Sequence, residues 1–359
     1  MQQNHFALIL AGGVGSRFWP KSTSRFPKQF HDILGTGLSL LQMTYDRVKC
    51  FIPEENILIS TSEQYVDLVK EQLPNLPVKN ILTEPARRNT APAIAYGMFK
   101  ISKRNREASV VICPSDHLIT KEALFCEHSK SILLHCEKNN SLVTMGITPH
   151  APHTGYGYIQ HIDDGSDFLS KVKTFTEKPD EEMARQFLDS GDFLWNAGIF
   201  YWSVASFIQA LEIHIPDLYA SMKEHAVSFD EANEDSVVRS FYPRLENESI
   251  DYALMEKARN VFVFPADIGW SDLGAWGALY EQISSDENSN VCIGKSVLMY
   301  DSTNNLVHID GDKTTVIEGL EDYIVVDTPN ALLICRKQSE QRVRDFVKDL
   351  KIKQGERFV

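Results

Sequence analysis

Short apolar runs alternate along the first half of the chain with stretches whose apolar residues recur every three or four positions. Residues 6–10, 57–61, 110–113 and 142–147 are apolar and bounded by polar or turn residues, so they read as buried strands. Between them, residues 40–48, 64–73, 91–103 and 122–139 carry the helical period. This alternation predicts an α/β fold with a mostly parallel sheet and helices on both faces. Ligands of such sheets bind beyond the carboxyl ends of the strands. The residues after the first strand, and Pro114-Ser115-Asp116-His117 after the third, fall on that edge.

From Thr154 to about residue 290 the pattern is mixed, as expected of an inserted substrate-binding region that returns to the sheet. The texture then changes. Five short β runs at 296–299, 306–309, 315–317, 323–326 and 331–335 are separated by Asp, Asn, Gly and Pro, which predicts a small β module. Val343, Phe346, Val347 and Leu350 stand at helical spacing and predict an amphipathic terminal helix. The expected organisation is a catalytic domain over 1–290 and the β module with its helix over 291–359.

The first strand runs into Leu10-Ala11-Gly12-Gly13-Val14-Gly15-Ser16-Arg17, and Lys28 follows within Phe26-Pro27-Lys28-Gln29-Phe30. Glycines let a backbone turn sharply and bring peptide N–H groups against phosphate oxygens. Arg17 and Lys28 supply the full charges that a triphosphate needs. No lysine follows Gly15 directly, so the segment is not a P-loop. Phe18 stands where the third glycine of a dinucleotide fingerprint belongs, which argues against NAD.

Bulk properties narrow the class. A net charge of -13 over 359 residues argues against a nucleic-acid partner but allows a local cationic cluster. No apolar run approaches the roughly 20 residues of a membrane helix, and Met1-Gln2-Gln3-Asn4-His5 lacks the features of a signal peptide. The six cysteines show no C-x-x-C pair and read as reduced packing residues. A cytoplasmic protein without a membrane partner is expected.

Several residues are suited to chemistry, each with a plainer alternative. Asp116 and Asp272, on distant loops, could together hold Mg²⁺, which takes one or two carboxylates plus phosphates and waters. Either could equally cap a turn. Lys178 in Glu177-Lys178-Pro179 could meet a sugar phosphate while Glu177 accepts from hydroxyls, or the two could be a surface charge pair. Asn196, beside Gly198, suits hydroxyl recognition or a tight turn. Gly155-Tyr156-Gly157 resembles a sugar-facing loop or a hairpin turn. Glu84-Pro85-Ala86-Arg87-Arg88-Asn89-Thr90 precedes a helix that Asn89 or Thr90 could cap, and it could also wall a base pocket. His150 and His153 lack a helix and a third ligand, and read as loop histidines rather than a metal site.

Taken in order, these segments, together with Trp195-Asn196-Ala197-Gly198 and Gly269-Trp270-Ser271-Asp272, resemble the nucleotidyltransferases that act on sugar phosphates. Arg88-Asn89-Thr90-Ala91-Pro92 and Trp270-Ser271-Asp272 point to the branch handling mannose 1-phosphate. The resemblance spans residues 6 to about 280. It implies a Rossmann-like fold and a Mg²⁺-dependent reaction of GTP with mannose 1-phosphate, giving GDP-mannose and pyrophosphate. By position it assigns Leu10, Ala11, Gly12, Gly13, Gly15, Ser16, Arg17, Lys28, Glu84, Pro85, Arg88, Asn89, Thr90 and Asp116 to the nucleotide. It assigns Gly155, Tyr156, Gly157, Glu177, Lys178, Asn196 and Gly198 to the sugar phosphate, and Asp116 and Asp272 to the metal. Arg17, Lys28, Asp116 and Asp272 would then be the catalytic set. The β module is similar to the β-helix-like domain that often follows in this family, and a homodimer is implied. The chain is too short for the isomerase domain of some relatives, so a monofunctional enzyme is expected. The alternatives are a related enzyme for another base or hexose, and a non-catalytic nucleotide-binding homologue.

Overall fold

The computed structural model describes residues 4–162 and 168–359, so the first three residues of the leader reading lie outside it. Among the described residues ten strands precede the Trp270 region: β1 (His5–Leu10), β2 (Ile57–Ser62), β3 (Ile81–Glu84), β4 (Ser109–Pro114), β5 (Leu118–Ile119), β6 (Leu142–Ile147), β7 (Gly157–Ile162), β8 (Ser170–Glu177), β9 (Phe193–Ser203) and β10 (Val261–Pro265). Nine of them form one sheet in the order β3-β2-β1-β4-β9-β6-β10-β8-β7, with β7 also pairing β9. The expected parallel pairing holds from β3 to β4 and again between β6 and β10. Around β9 and β8 the pairing is antiparallel, so the sheet as a whole is mixed.

Contacts divide the chain into two compact units. The first comprises residues up to Gly12, Thr44–Ser115 and Ile119–Trp270. Strands β1, β2, β4 and β6 are almost wholly buried, because both faces of the sheet are covered there. Helix α1 (Leu40–Lys49) lies between β1 and β2 in the chain, and α2 (Val66–Gln72) between β2 and β3. Helix α3 (Thr90–Arg104) shares a core cluster with Phe6, Leu8, Val110, Ile112, Phe200 and Trp202. Tyr201 points the other way, where its hydroxyl meets Ser129 of helix α4 (Glu122–Lys138) at 2.9 Å. Successive strand residues face opposite sides, so α3 and α4 cover the two faces of β9. The insertion adds α5 (Glu181–Ser190), α6 (Val204–His214), α7 (Pro216–His225) and α8 (Glu234–Phe241).

The second unit comprises Gly13–Met43, Asp116–Leu118 and Ser271–Val359. A four-stranded sheet joins residues Val291–Ile293, Leu306–Ile309, Tyr323–Asp327 and Leu332–Arg336, and Ser296–Tyr300 pairs in parallel with Thr314–Glu318. Mostly parallel pairing of such short strands is the texture of a β-helix, and the helix at Val343–Gln354 follows it. Its core gathers Phe18, Trp19, Trp276, Leu306, Ile324, Val326 and Val343. The glycine-loop segment is therefore packed on the β module within one unit. All six cysteines are free thiols, and no helix among the described residues is long and apolar enough to cross a membrane.

Candidate active site

The second unit brings three distant segments together around one ammonium group. Gly15, in the left-handed region at φ 71°, opens the short turn Ser16–Phe18. A Cβ there would lie 2.5 Å from the Lys28 Cβ, so only glycine lets the lysine stem pass. The Lys28 backbone N–H donates to the Val14 carbonyl (3.2 Å), and Gln29 Nε2 donates to that of Gly13 (3.0 Å). Lys28 is 2% exposed. Its Nζ donates to Asp116 Oδ2 at 3.1 Å and to the Asp272 carbonyl at 2.8 Å, and lies 5.4 Å from the Phe18 ring centre. Arg17 Nη1 reaches the Gly274 carbonyl at 3.4 Å. Arg17, Lys28, Asp116 and Asp272 thus converge, although they span more than 250 positions in sequence.

The two aspartates differ in their partners. Burial alone would raise the Asp116 carboxyl, but Lys28 and His117 outweigh it and hold the group below its ordinary value. Asp116 is therefore a fixed anion. Asp272 Oδ1 accepts from the Gly274 N–H at 2.9 Å, so its turn-forming role is real. The Asp116 carboxylate stands on the Lys28 ammonium, whereas Asp272 offers that ammonium its carbonyl and turns its carboxylate to Gly274. Hard oxygen donors of this kind suit Mg²⁺, whose remaining ligands are phosphate oxygens and waters. Among the described residues no group of three or more His, Cys, Asp or Glu is placed to hold a metal ion.

In the first unit, β1, β2, β3 and β4 end at one edge. Thr61 Oγ1 donates to the Ala11 carbonyl (2.9 Å), and the Ser115 N–H donates to that of Leu10 (3.0 Å). Glu84 closes β3 and lies 3.7 Å from where a Gly12 Cβ would stand. Its carboxylate accepts from Ser60 and Tyr242, both at 2.8 Å. Burial pushes its carboxyl up, against the pull of Ser60, Tyr242 and Arg87. Beyond Pro85, Asn89 caps α3 by accepting from the Thr90 N–H (2.9 Å), while Thr90 Oγ1 accepts from the Ile250 N–H (2.9 Å). Arg88 donates to the Pro243 carbonyl, and its buried Nε has no partner among the described residues. That orphaned donor awaits an acceptor.

A second cluster of the first unit gathers the expected sugar residues. Gly157 pairs with Glu177 across β7 and β8. A Cβ on Gly157 would strike the Glu177 carboxylate and lie 3.3 Å from the Asn196 Cβ, so its bareness lets both approach. Glu177 is ion-paired to Lys178, which has φ 49° and an exposed ammonium. Asn196 Oδ1 accepts from Thr144 Oγ1 (2.9 Å) and the Gly198 N–H (3.1 Å), while its Nδ2 donates to Asp251 Oδ1 (2.9 Å). The amide is oriented from both ends. Tyr156 stacks on His153 at 4.1 Å and meets Trp195 and Trp270 edge-on at 5.0 and 5.2 Å. The Gly155 N–H donates to His153 Nδ1 at 3.3 Å, so the histidines pack against aromatic rings as loop residues.

Sequence reasoning missed Asp251, Thr144 and Tyr242. Asp251 had one visible signal, a lone carboxylate in the apolar run Ile250–Met255. Thr144 sits within a uniform strand and carries no such mark.

Comparison with known proteins follows the same lines. Residues 6–289 match the nucleotidyl transferase family, and residues 295–350 match the MannoseP isomerase/GMP-like beta-helix domain. The mannose-1-phosphate guanylyltransferase of Salmonella montevideo is 37% identical over 96% of this chain and 74% of its own length. The alginate biosynthesis protein AlgA of Pseudomonas aeruginosa is 36% identical over 96% of this chain and 71% of its own. A crystal structure from Thermus thermophilus, described as a mannose-1-phosphate geranyltransferase, superposes with a TM-score of 0.88 at 27% identity. It covers 97% of this chain and 100% of that one.

Proposed function

The chain belongs to the nucleotidyl transferase family, and we propose that it transfers GMP from GTP to α-D-mannose 1-phosphate, giving GDP-mannose and pyrophosphate. The observation that carries the reading is the convergence of Lys28, Asp116 and Asp272 on one point, beside Arg17. A sugar phosphate is already an anionic nucleophile, so no base is required. Its oxygen forms the new bond to the α-phosphorus in line with the α–β bridging oxygen, which departs with pyrophosphate. Juxtaposing two polyanions and stabilising the departing charge supply the acceleration.

In this reading Arg17 and Lys28 neutralise the triphosphate. The backbone of Leu10, Ala11, Gly12, Gly13, Gly15 and Ser16 approaches its oxygens, and Glu84, Pro85, Arg88, Asn89 and Thr90 border the base. Asp116 and Asp272 would hold Mg²⁺, which when bound neutralises phosphate charge and orients the leaving group. Gly155, Tyr156, Gly157, Glu177, Asn196 and Gly198 hold the sugar, with Lys178 toward its phosphate. Residues 1–290 act as the catalytic domain and 291–359 as the β module, in a cytoplasmic homodimer. A pyrophosphate-release assay across nucleoside triphosphates and hexose 1-phosphates, with and without magnesium, tests this. Turnover confined to GTP with mannose 1-phosphate in magnesium is expected. Preference for UTP or dTTP with glucose 1-phosphate would transfer the reading to another member, and nucleotide binding without release would make the protein a binder.

A further inference from the structure

The sugar-side cluster holds a carboxylate that no motif accounts for. Asp251 opens the turn Asp251–Met255, with Ala253, Leu254 and Met255 buried behind it. Its Oδ1 accepts from Asn196 Nδ2 at 2.9 Å. Among the described residues no other side chain donates to it. Glu177 stands close enough, with a side chain only 9% exposed, that the two carboxylates repel. Burial and Glu177 push the Asp251 carboxyl up to about 7, against the Asn196 hydrogen bond and Lys178. Lys178 pairs with Glu177 and Asn196 with one Asp251 oxygen, which leaves the second Asp251 oxygen open to a further side-chain or ligand donor. A hexose is such a partner, since each hydroxyl donates one hydrogen.

We propose that Asp251 is a sugar-recognition residue, which fixes the Asn196 amide through Oδ1 and takes a hexose hydroxyl on its second oxygen. This rests on the sugar-phosphate reading of the same cluster. Thr144 and the Gly198 N–H hold the far end of the amide, and Asp251 completes its orientation by accepting from Nδ2. Glu177, let in by the bare Gly157, takes a second hydroxyl beside it. Two acceptors and one oriented amide give a stereochemical pattern that distinguishes hexoses by hydroxyl configuration, which a single acceptor cannot do.

Steady-state kinetics of Asp251→Asn test this. The variant keeps an acceptor for Asn196 but replaces the second oxygen by a donor. KM for mannose 1-phosphate should rise roughly ten- to a hundredfold, the loss expected of one hydrogen bond to a charged group, with KM for GTP within about twofold. An unchanged sugar KM, or an equal rise in both constants, would overturn the proposal, because a merely structural role has no reason to separate the two substrates. Monodeoxy mannose 1-phosphates sharpen the result: one analogue should penalise the parent protein and not the variant. Equal penalties for every analogue would contradict direct contact. If Asp251→Asn does not fold, Asp251→Ser is measured in the same way. If the parent protein rejects mannose 1-phosphate, the substrate reading fails alone, and the KM comparison is made with the hexose 1-phosphate it does use.

Discussion

Lys28 illustrates how much of the second unit's local geometry serves one side chain. Its stem runs past Gly15, its backbone is tied to Val14, and its ammonium spans Asp116 and the Asp272 carbonyl. Replacing it by alanine removes the charge that the proposed reading sets against the triphosphate, and kcat should fall by roughly a hundred- to a thousandfold in a folded protein. Unchanged steady-state constants would remove Lys28 from the reaction. Gly15→Ala strains a left-handed residue and drives a methyl against Lys28, so a loss of about 1–3 kcal/mol is expected in denaturant titrations. Asp251 gives a pH signature. Its folded pKa of about 7 lies above the unfolded value, so the folded state binds more protons between about pH 4 and 7. Its contribution to stability is therefore present at the acid end and lost as pH rises through 7, with a slope of at most about 1.4 kcal/mol per pH unit. Asp251→Asn should flatten that part of the curve, and an unaltered slope would show that the group titrates normally.

Elements show the opposite sign of the same linkage. In the second unit Lys21 Nζ donates to Asp310 (2.9 Å) and lies 3.2 Å from His308 Nε2, while Trp276 Nε1 donates to the Trp19 carbonyl and Trp19 Nε1 to that of Phe358. These contacts seat the stretch between Arg17 and Lys28 on the β module. His308 and His31 are both held down to about 4, chiefly by burial. The unfolded chain binds protons there first, so this stability is present above about pH 6.5 and lost as pH falls through 4. His308→Asn should reduce the acid sensitivity of unfolding. Helix α3 depends on Gly97, where a Cβ would stand 2.5 Å from Leu8 of β1, so Gly97→Val should lower Tm by several degrees. Strands β1, β2, β4 and β6 were legible because both faces are buried and their residues are uniformly apolar. Strand β9 was not, because Asn196 and Gly198 interrupt its eleven residues for the sake of the amide and its turn. Strand β3 has only four residues, too few for a period.

At the scale of the molecule, the α/β class and the β module could be read from alternation and turn residues, while the antiparallel half of the sheet could not. That half is built by chain returning from an insertion, and return direction leaves no trace in local pattern. The candidate residues were legible where glycine or charge marked a loop, as at Gly15, Lys28 and Asp116. They were silent where a polar side chain sits inside an element, as with Thr144 and Asp251. A net charge of -13 makes the Arg17–Lys28 pair a local exception, which suits small polyanions rather than nucleic acid. The central claim is the bond that breaks, and isotopic labelling addresses it directly. With GTP labelled at the α-phosphate, mannose 1-phosphate and magnesium, the label should appear in GDP-mannose, and γ-label in pyrophosphate. Appearance of α-label in GMP or GDP without a sugar conjugate, or of γ-label in free phosphate, would contradict nucleotidyl transfer.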